Sequence, residues 1–143
     1  MKIVVLKFGG TSVGTIERIK KVANIIIGHF RKRYKVIVVS SAMSGVTNDL
    51  IKKSKKISKN FILSEQDVLV SSGEQMSCAL IAGRLNHLGY KSQSWLSWQV
   101  PILTEGRFGS SRITKINTKK IKNFLDQLYK RRLHLYRLYI FQL

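Results

Sequence analysis

Hydrophobic residues fall along this chain in two rhythms, and the switches between them outline a layered fold. Ile3 to Leu6 is a short unbroken apolar run rich in β-branched residues, followed soon after by Gly9 and Gly10, the pattern of a strand buried on both faces. It predicts a central parallel strand. From Ile16 the spacing changes: Ile16, Ile19, Val22 with Ala23, Ile26 with Ile27, and Phe30 recur every three or four residues, with Thr15 placed to cap and Glu17 in the first turn. This predicts an amphipathic helix. Val36 to Val39 repeats the buried-strand signature, Ser40 to Gly45 forms another loop of small residues, and a second helical pattern begins near Val46.

Ser64, with Glu65 and Asp67 behind it, reads as a further helix start. The apolar positions from Val68 to Leu88 suit one helix, or two broken near Ser71 to Gly73, with Gly89 as C-terminal cap. Tyr90 to Ser97 is the next strand candidate, and Pro101, the only proline, argues against a central strand at its own position. Ile113 to Ile116 is another short strand, with Asn117 or Thr118 capping a helix to about Leu128. There is no internal repeat and no Gly/Ser-rich linker. Strands alternating with helices predict an α/β fold, a layered α/β/α sandwich with a mainly parallel sheet.

Composition narrows this picture only a little. The 143 residues are 44% hydrophobic, enough for one core. Against 7 acidic residues stand 26 Lys and Arg, a formal net charge of +19 that would suit a nucleic-acid or membrane-surface partner if it were clustered. The basic residues instead spread through most segments, densest at Lys52, Lys53, Lys55, Lys56 and Lys59 and again at Lys130 to Arg132. Solvated lysines on helix faces account for them equally well. Cys78 is the only cysteine, so no intramolecular disulfide forms, and its apolar neighbours suit a small buried side chain. His29, His87 and His134 make no metal motif. The apolar run after Lys2 is too short for a signal peptide, and none reaches transmembrane length; the expected setting is cytoplasmic.

The candidate chemistry lies in the small-residue loops, because ligands of open parallel sheets bind beyond the carboxyl ends of the strands. The first loop reads Lys7, Phe8, Gly9, Gly10, Thr11, Ser12. Paired glycines let a backbone approach phosphate oxygens, and a lysine can neutralise charge on a phosphoryl group in transfer. It is neither a P-loop nor a dinucleotide-binding pattern, and a tight Gly-Gly turn beside a snorkelling lysine would look the same. The second loop, Ser41 to Asn48, offers hydroxyls including Ser41 and Thr47. Glu74 stands within a largely apolar helical stretch; facing inward, it would suit an ammonium-bearing substrate.

Four segments together resemble the successive signatures of the aspartate kinases, within the amino acid kinase superfamily. They are KFGGTSV from Lys7 to Val13, SAMSGVTN from Ser41 to Asn48, SSGEQMS from Ser71 to Ser77, and TEGRFGSSRI from Thr104 to Ile113. The resemblance implies an amino acid kinase-like fold and phosphorylation of the L-aspartate side chain by ATP to 4-phospho-L-aspartate, at the head of lysine, threonine, methionine and diaminopimelate synthesis. Mg2+ would accompany ATP, with no metal site on the protein. By the same resemblance Lys7 stabilises the phosphoryl group, Phe8, Gly9 and Gly10 join it at the ATP phosphates, and Ser41, Thr47 and Glu74 hold aspartate. Kinases of acetylglutamate, glutamate or carbamate fit less well, since the second and third segments look specific to aspartate kinases.

The likeness covers roughly residues 1–125, read as the N-terminal part of an amino acid kinase domain. The family's later GRGGSDT-like and TDVDGVY-like segments and its regulatory ACT domains have no counterpart here. Residues 126–143 form a tail that ends in YKRRLHLYRLYIFQL, with four basic residues and no acids in that stretch. It does not read as the next strand. A frameshift or premature stop would produce it, and a basic membrane-surface or nucleic-acid-binding helix is the alternative. The expectation is a truncated chain with little or no kinase activity by itself, whose exposed apolar edge and face invite self-association or a complementary fragment. The kinase reading also requires Lys7 and the paired glycines to face the same cavity as the second-loop hydroxyls and Glu74.

Overall fold

A computed structural model describes residues 2–119, 121–123 and 138–142. The order of elements is β1 (Ile3–Phe8), α1 (Ile16–Arg31), β2 (Lys35–Ser40), α2 (Val46–Ile57), α3 (Leu63–His87), β3 (Ser92–Trp95), β4 (Ile102–Glu105), β5 (Arg112–Ile116) and β6 (Leu138–Gln142). Four strands form a parallel sheet in the order β1-β2-β6-β3, while β4 and β5 pair as a separate antiparallel hairpin. The predicted α/β class with a mainly parallel sheet is what the chain adopts.

Local signals place most elements. Thr15 caps α1, its hydroxyl accepting the Arg18 N–H at 3.3 Å, and Ile19, Val22, Ala23, Ile26 and Ile27 form the buried stripe that the spacing predicts. Gly45 enters α2 with φ +84°, and Gly89 leaves α3 with φ +82°, a left-handed conformation that glycine adopts without a Cβ penalty. α3 is one unbroken helix of 25 residues that starts at Leu63. The serines that suggested a break are accommodated by bonding back one turn, Ser71 to Val68 O at 2.8 Å and Ser72 to Leu69 O at 2.6 Å.

The core lies on one face of the sheet. Val36 and Val38 of β2 meet the α1 stripe and Cys78, Ile81, Ala82 and Leu85 of α3, with Val4, Leu6 and Phe8 of β1 packed against them. Ile3 and Val5 alternate to the other face and are 49% and 59% exposed. The expectation of a central strand buried on both faces is therefore corrected: among the described residues β1 is an edge strand, half covered. Its apolar run reflects two apolar faces, only one of which the helices α1 and α3 cover. The lysines of α2 are exposed, and Asp49 pairs with Lys53 at 2.9 Å on the same open surface.

The tail corrects a second expectation. Leu138–Gln142 is a strand, seated between β2 and β3 and parallel to both. Leu, Tyr, Ile and Phe suit a pleated surface; the basic residues that made the tail read otherwise, Lys130 to Arg132 and Arg137, lie outside the described residues. The predicted strand at Ile113 to Ile116 exists as β5, in the hairpin rather than the main sheet. Pro101 stands in the turn before β4. The helix expected to follow is present at 118–119 and 121–123, and its continuation to Leu128 falls outside the described residues. No helix among them is long and apolar enough to cross a membrane.

Burial sets the expected response to substitution. Ile81→Ala should cost about 2–5 kcal/mol, whereas Val5→Thr on the open face should change stability by no more than about 0.5 kcal/mol, both read from urea denaturation. Burial also pushes the Cys78 thiol from its ordinary 9.0 up to about 12. The fold thus favours the neutral thiol, so this contribution is whole below pH 9.0 and is lost as pH rises toward about 12. Iodoacetamide at pH 8 should leave the folded chain unmodified and alkylate Cys78 fully in urea.

Candidate active site

The candidate site forms where three segments meet at the carboxyl edge of β1 and β2. The first loop turns tightly after β1: Gly9 O accepts the Ser12 and Val13 amides at 2.9 and 3.3 Å, and Gly14 N donates to Thr11 O at 3.4 Å. The Arg18 guanidinium also donates to Thr11 O. Val13 is fully buried and anchors the turn to the core. Among the described residues, the amides of Gly10 and Thr11 donate to no protein acceptor. Free amides beside a lysine are the chemistry a phosphate group needs.

The second loop is stitched to the first. Ser41 N donates to Phe8 O at 3.0 Å and Ser44 N to Gly10 O at 3.1 Å. Ala42 is the point of closest approach: a Cβ on Gly10 would stand 2.9 Å from Ala42 O, and one on Gly73 would stand 3.0 Å from Ala42 Cβ and 3.1 Å from Val46 Cγ1. Only a residue without a side chain fits at Gly10 with the backbone as it lies. α3 grips the same loop with polar groups, Ser77 Oγ donating to Ser41 O at 2.8 Å and Glu74 Oε1 accepting the Ala42 amide at 3.4 Å.

The predicted residues occupy this junction in different ways. Lys7 is exposed, and its ammonium bends toward the loop, 3.7 Å from where a Gly9 Cβ would stand. Phe8 packs its ring on the core, so its contribution to the junction is backbone. Gly9 and Gly10 form the turn, and Ser41 and Glu74 are half-buried and joined through the Ser41–Ala42 peptide. Thr47 is half-buried in the first turn of α2, and its hydroxyl has no hydrogen-bond partner among the described residues.

One requirement is corrected. Strand alternation sends Lys7 to the open face with Ile3 and Val5, while Glu74 belongs to α3 on the covered face. They do not project from a common face. What they share is the loop edge, which side chains reach from both faces of a parallel sheet. Residues that sequence reasoning passed over are Ala42, Gly73 and Ser77, which set the separation of loop and helix; Ser77 follows Glu74 at helical spacing within a segment already singled out. Asp67 is another, its carboxylate accepting the Gly109 amide at 2.9 Å and tying the β4–β5 hairpin to α3. A cavity of about 370 Å³ between Pro101, Leu103, Lys115 and Lys119 contains none of the predicted site residues. Among the described residues no group of three His, Cys, Asp or Glu could hold a metal.

The sequence profile of the amino acid kinase family matches residues 2–130. The chain belongs to that family. An aspartokinase of Geobacillus stearothermophilus is 47% identical over 127 residues, covering 89% of this chain and 31% of its own length. The aspartate kinase of Synechocystis superposes with a TM-score of 0.77 at 32% identity, over 97% of this chain and 21% of that one. Aspartokinase III of E. coli, solved with aspartate and ADP, gives 0.73 at 23% identity, over 99% and 40%. This chain therefore spans about a third of the length of the curated relatives it matches.

The glycine contacts predict opposite signs for one kind of substitution. Gly10→Ala and Gly73→Ala should each destabilise by about 1–3 kcal/mol, since backbone and helix must part. Gly83→Ala, whose added Cβ meets nothing within 4 Å, should stabilise the helix by about 0.5–1 kcal/mol. Urea denaturation of the three variants checks this.

Proposed function

We propose that this chain carries the phosphate-binding and amino-acid-binding loops of an aspartate kinase. The observation that carries the reading is the convergence at Ala42 of a lysine-bearing glycine turn, a hydroxyl-bearing loop and a helical carboxylate. The likeness to aspartokinases supports it, as does the aspartate and ADP bound to the E. coli relative.

In this reading the free amides of the first loop and the backbone of Phe8, Gly9 and Gly10 cradle the ATP phosphates. Lys7 offsets the charge on the phosphoryl group as it moves. Ser41 and Thr47 hydrogen-bond aspartate, and Glu74 receives its ammonium through the carboxylate oxygen not engaged by Ala42. An oxygen of the aspartate side-chain carboxylate attacks the γ-phosphorus, the bond to the β–γ bridging oxygen breaks, and ADP departs with the electron pair. Holding the two substrates in line is the main contribution these loops would make. Mg2+ would accompany the triphosphate and balance part of its charge. The product, 4-phospho-L-aspartate, opens the route to lysine, threonine, methionine and diaminopimelate, a cytoplasmic setting.

Amide chemical shifts test the reading without requiring turnover. Aspartate should shift Thr47 and Glu74, and ATP with Mg2+ should shift Gly9 and Gly10. Lys7→Ala should abolish mainly the ATP response, and Glu74→Gln should weaken the aspartate response by about tenfold or more. Equal responses to both ligands in parent and variants, or none at the junction in the parent, would sink it.

A further inference from the structure

Ser77 is fully buried and takes no part in the proposed chemistry, yet its hydroxyl is bonded across elements. A buried serine in a helix can satisfy itself on the carbonyl one turn back, and Glu74 O lies at 3.0 Å for that purpose. The shorter contact is instead to Ser41 O on the second loop, at 2.8 Å. A hydroxyl has one proton, and the shorter approach is the one to the loop carbonyl. Ser40 Oγ, 3.2 Å from Ser77 Oγ and fully buried, then completes the network as donor to Ser77 or to Ser41 O, also at 3.2 Å.

The consequence lies in a single peptide plane. Its carbonyl, from Ser41, is held by Ser77, and its N–H, from Ala42, is held by Glu74 Oε1. A peptide unit is rigid and planar, so fixing the carbonyl fixes the direction of the N–H. Ser77 and Glu74 stand one helical turn apart on the same face of α3. We propose that Ser77 is a positioning residue for the amino-acid substrate: by clamping the Ser41–Ala42 peptide it aims the Ala42 N–H at one oxygen of Glu74 and leaves the other directed at the substrate ammonium. This rests on the aspartate-binding reading above.

The test uses the full chain and three variants, Ser77→Ala, Ser77→Cys and Ser40→Ala, with amide exchange at Ala42, aspartate titration by amide shifts, and thermal melting. Ser77→Ala should speed Ala42 exchange and raise the apparent aspartate Kd by about tenfold each, leaving the ATP response at Gly9 and Gly10 intact. Ser77→Cys, a weaker donor of similar size, should fall between, and it carries the comparison if Ser77→Ala does not fold. Ser40→Ala should lower the melting temperature with Ala42 exchange and aspartate Kd within about twofold of the parent, because the clamp survives. A Ser77→Ala or Ser77→Cys that melts earlier but keeps parental exchange and Kd would overturn the proposal and leave a merely structural serine. Loss of the aspartate response on Glu74→Gln alone isolates that failure. If the parent shows no aspartate response, the aspartate-binding reading and this role both fall.

Discussion

The close packing of a glycine turn, a loop and a helix around Ala42 is the constraint on which the rest of this molecule depends. A turn, a loop and a helix come within van der Waals contact there because two of the three partners, Gly10 and Gly73, bring no side chain. Small residues alone would leave the segments free to slide. Polar contacts remove that freedom: Ser44 N to Gly10 O joins the loops, and Ser77 and Glu74 join the second loop to α3. Sterics permit the approach and hydrogen bonds select one geometry within it. The substrate groups a kinase must bring together would then meet protein atoms already held at fixed separations.

The sheet beneath divides the work between its faces. One face is covered by α1 and α3, and the core there anchors Val13 and the paired helices directly below the loops. The other face carries Ile3, Val5 and Lys7 in alternation, apolar at the start of the strand and charged at its carboxyl end. This places an exposed lysine at the loop edge. The helical carboxylate arrives from the covered side. A parallel sheet suits such a site because its edge can be approached from both sides while strand ends supply free backbone groups.

Charge has a smaller part than its size suggests. The lysines of α2 are exposed, and its acidic partner Asp49 is held below its ordinary carboxyl value chiefly by its hydrogen bond to Lys53. Pairs so exposed contribute little to stability. The basic helix is exposed to solvent, and the proposed site draws instead on one lysine, one glutamate and backbone amides.

What the sequence by itself determined was everything local in origin. The spacing from Ile19 to Ile27 specifies the buried face of α1, Thr15 its start, and the glycines at 45 and 89 the left-handed turns at helix ends, because each depends on neighbours within a few residues. The two loops and Glu74 stood out as candidates through their residue types, and the fold brings those segments to one junction. Tertiary structure alone decided which strands neighbour one another, that β1 lies at an edge with one face open, that Leu138–Gln142 enters the middle of the sheet, and that Ala42, Gly73 and Ser77 set the loop's position. An apolar run reads the same whether one or both of its faces are covered, and a serine in a helix reads the same whether it bonds its own turn or a distant loop. Those differences are made by contacts between residues far apart in the chain, which no local pattern records.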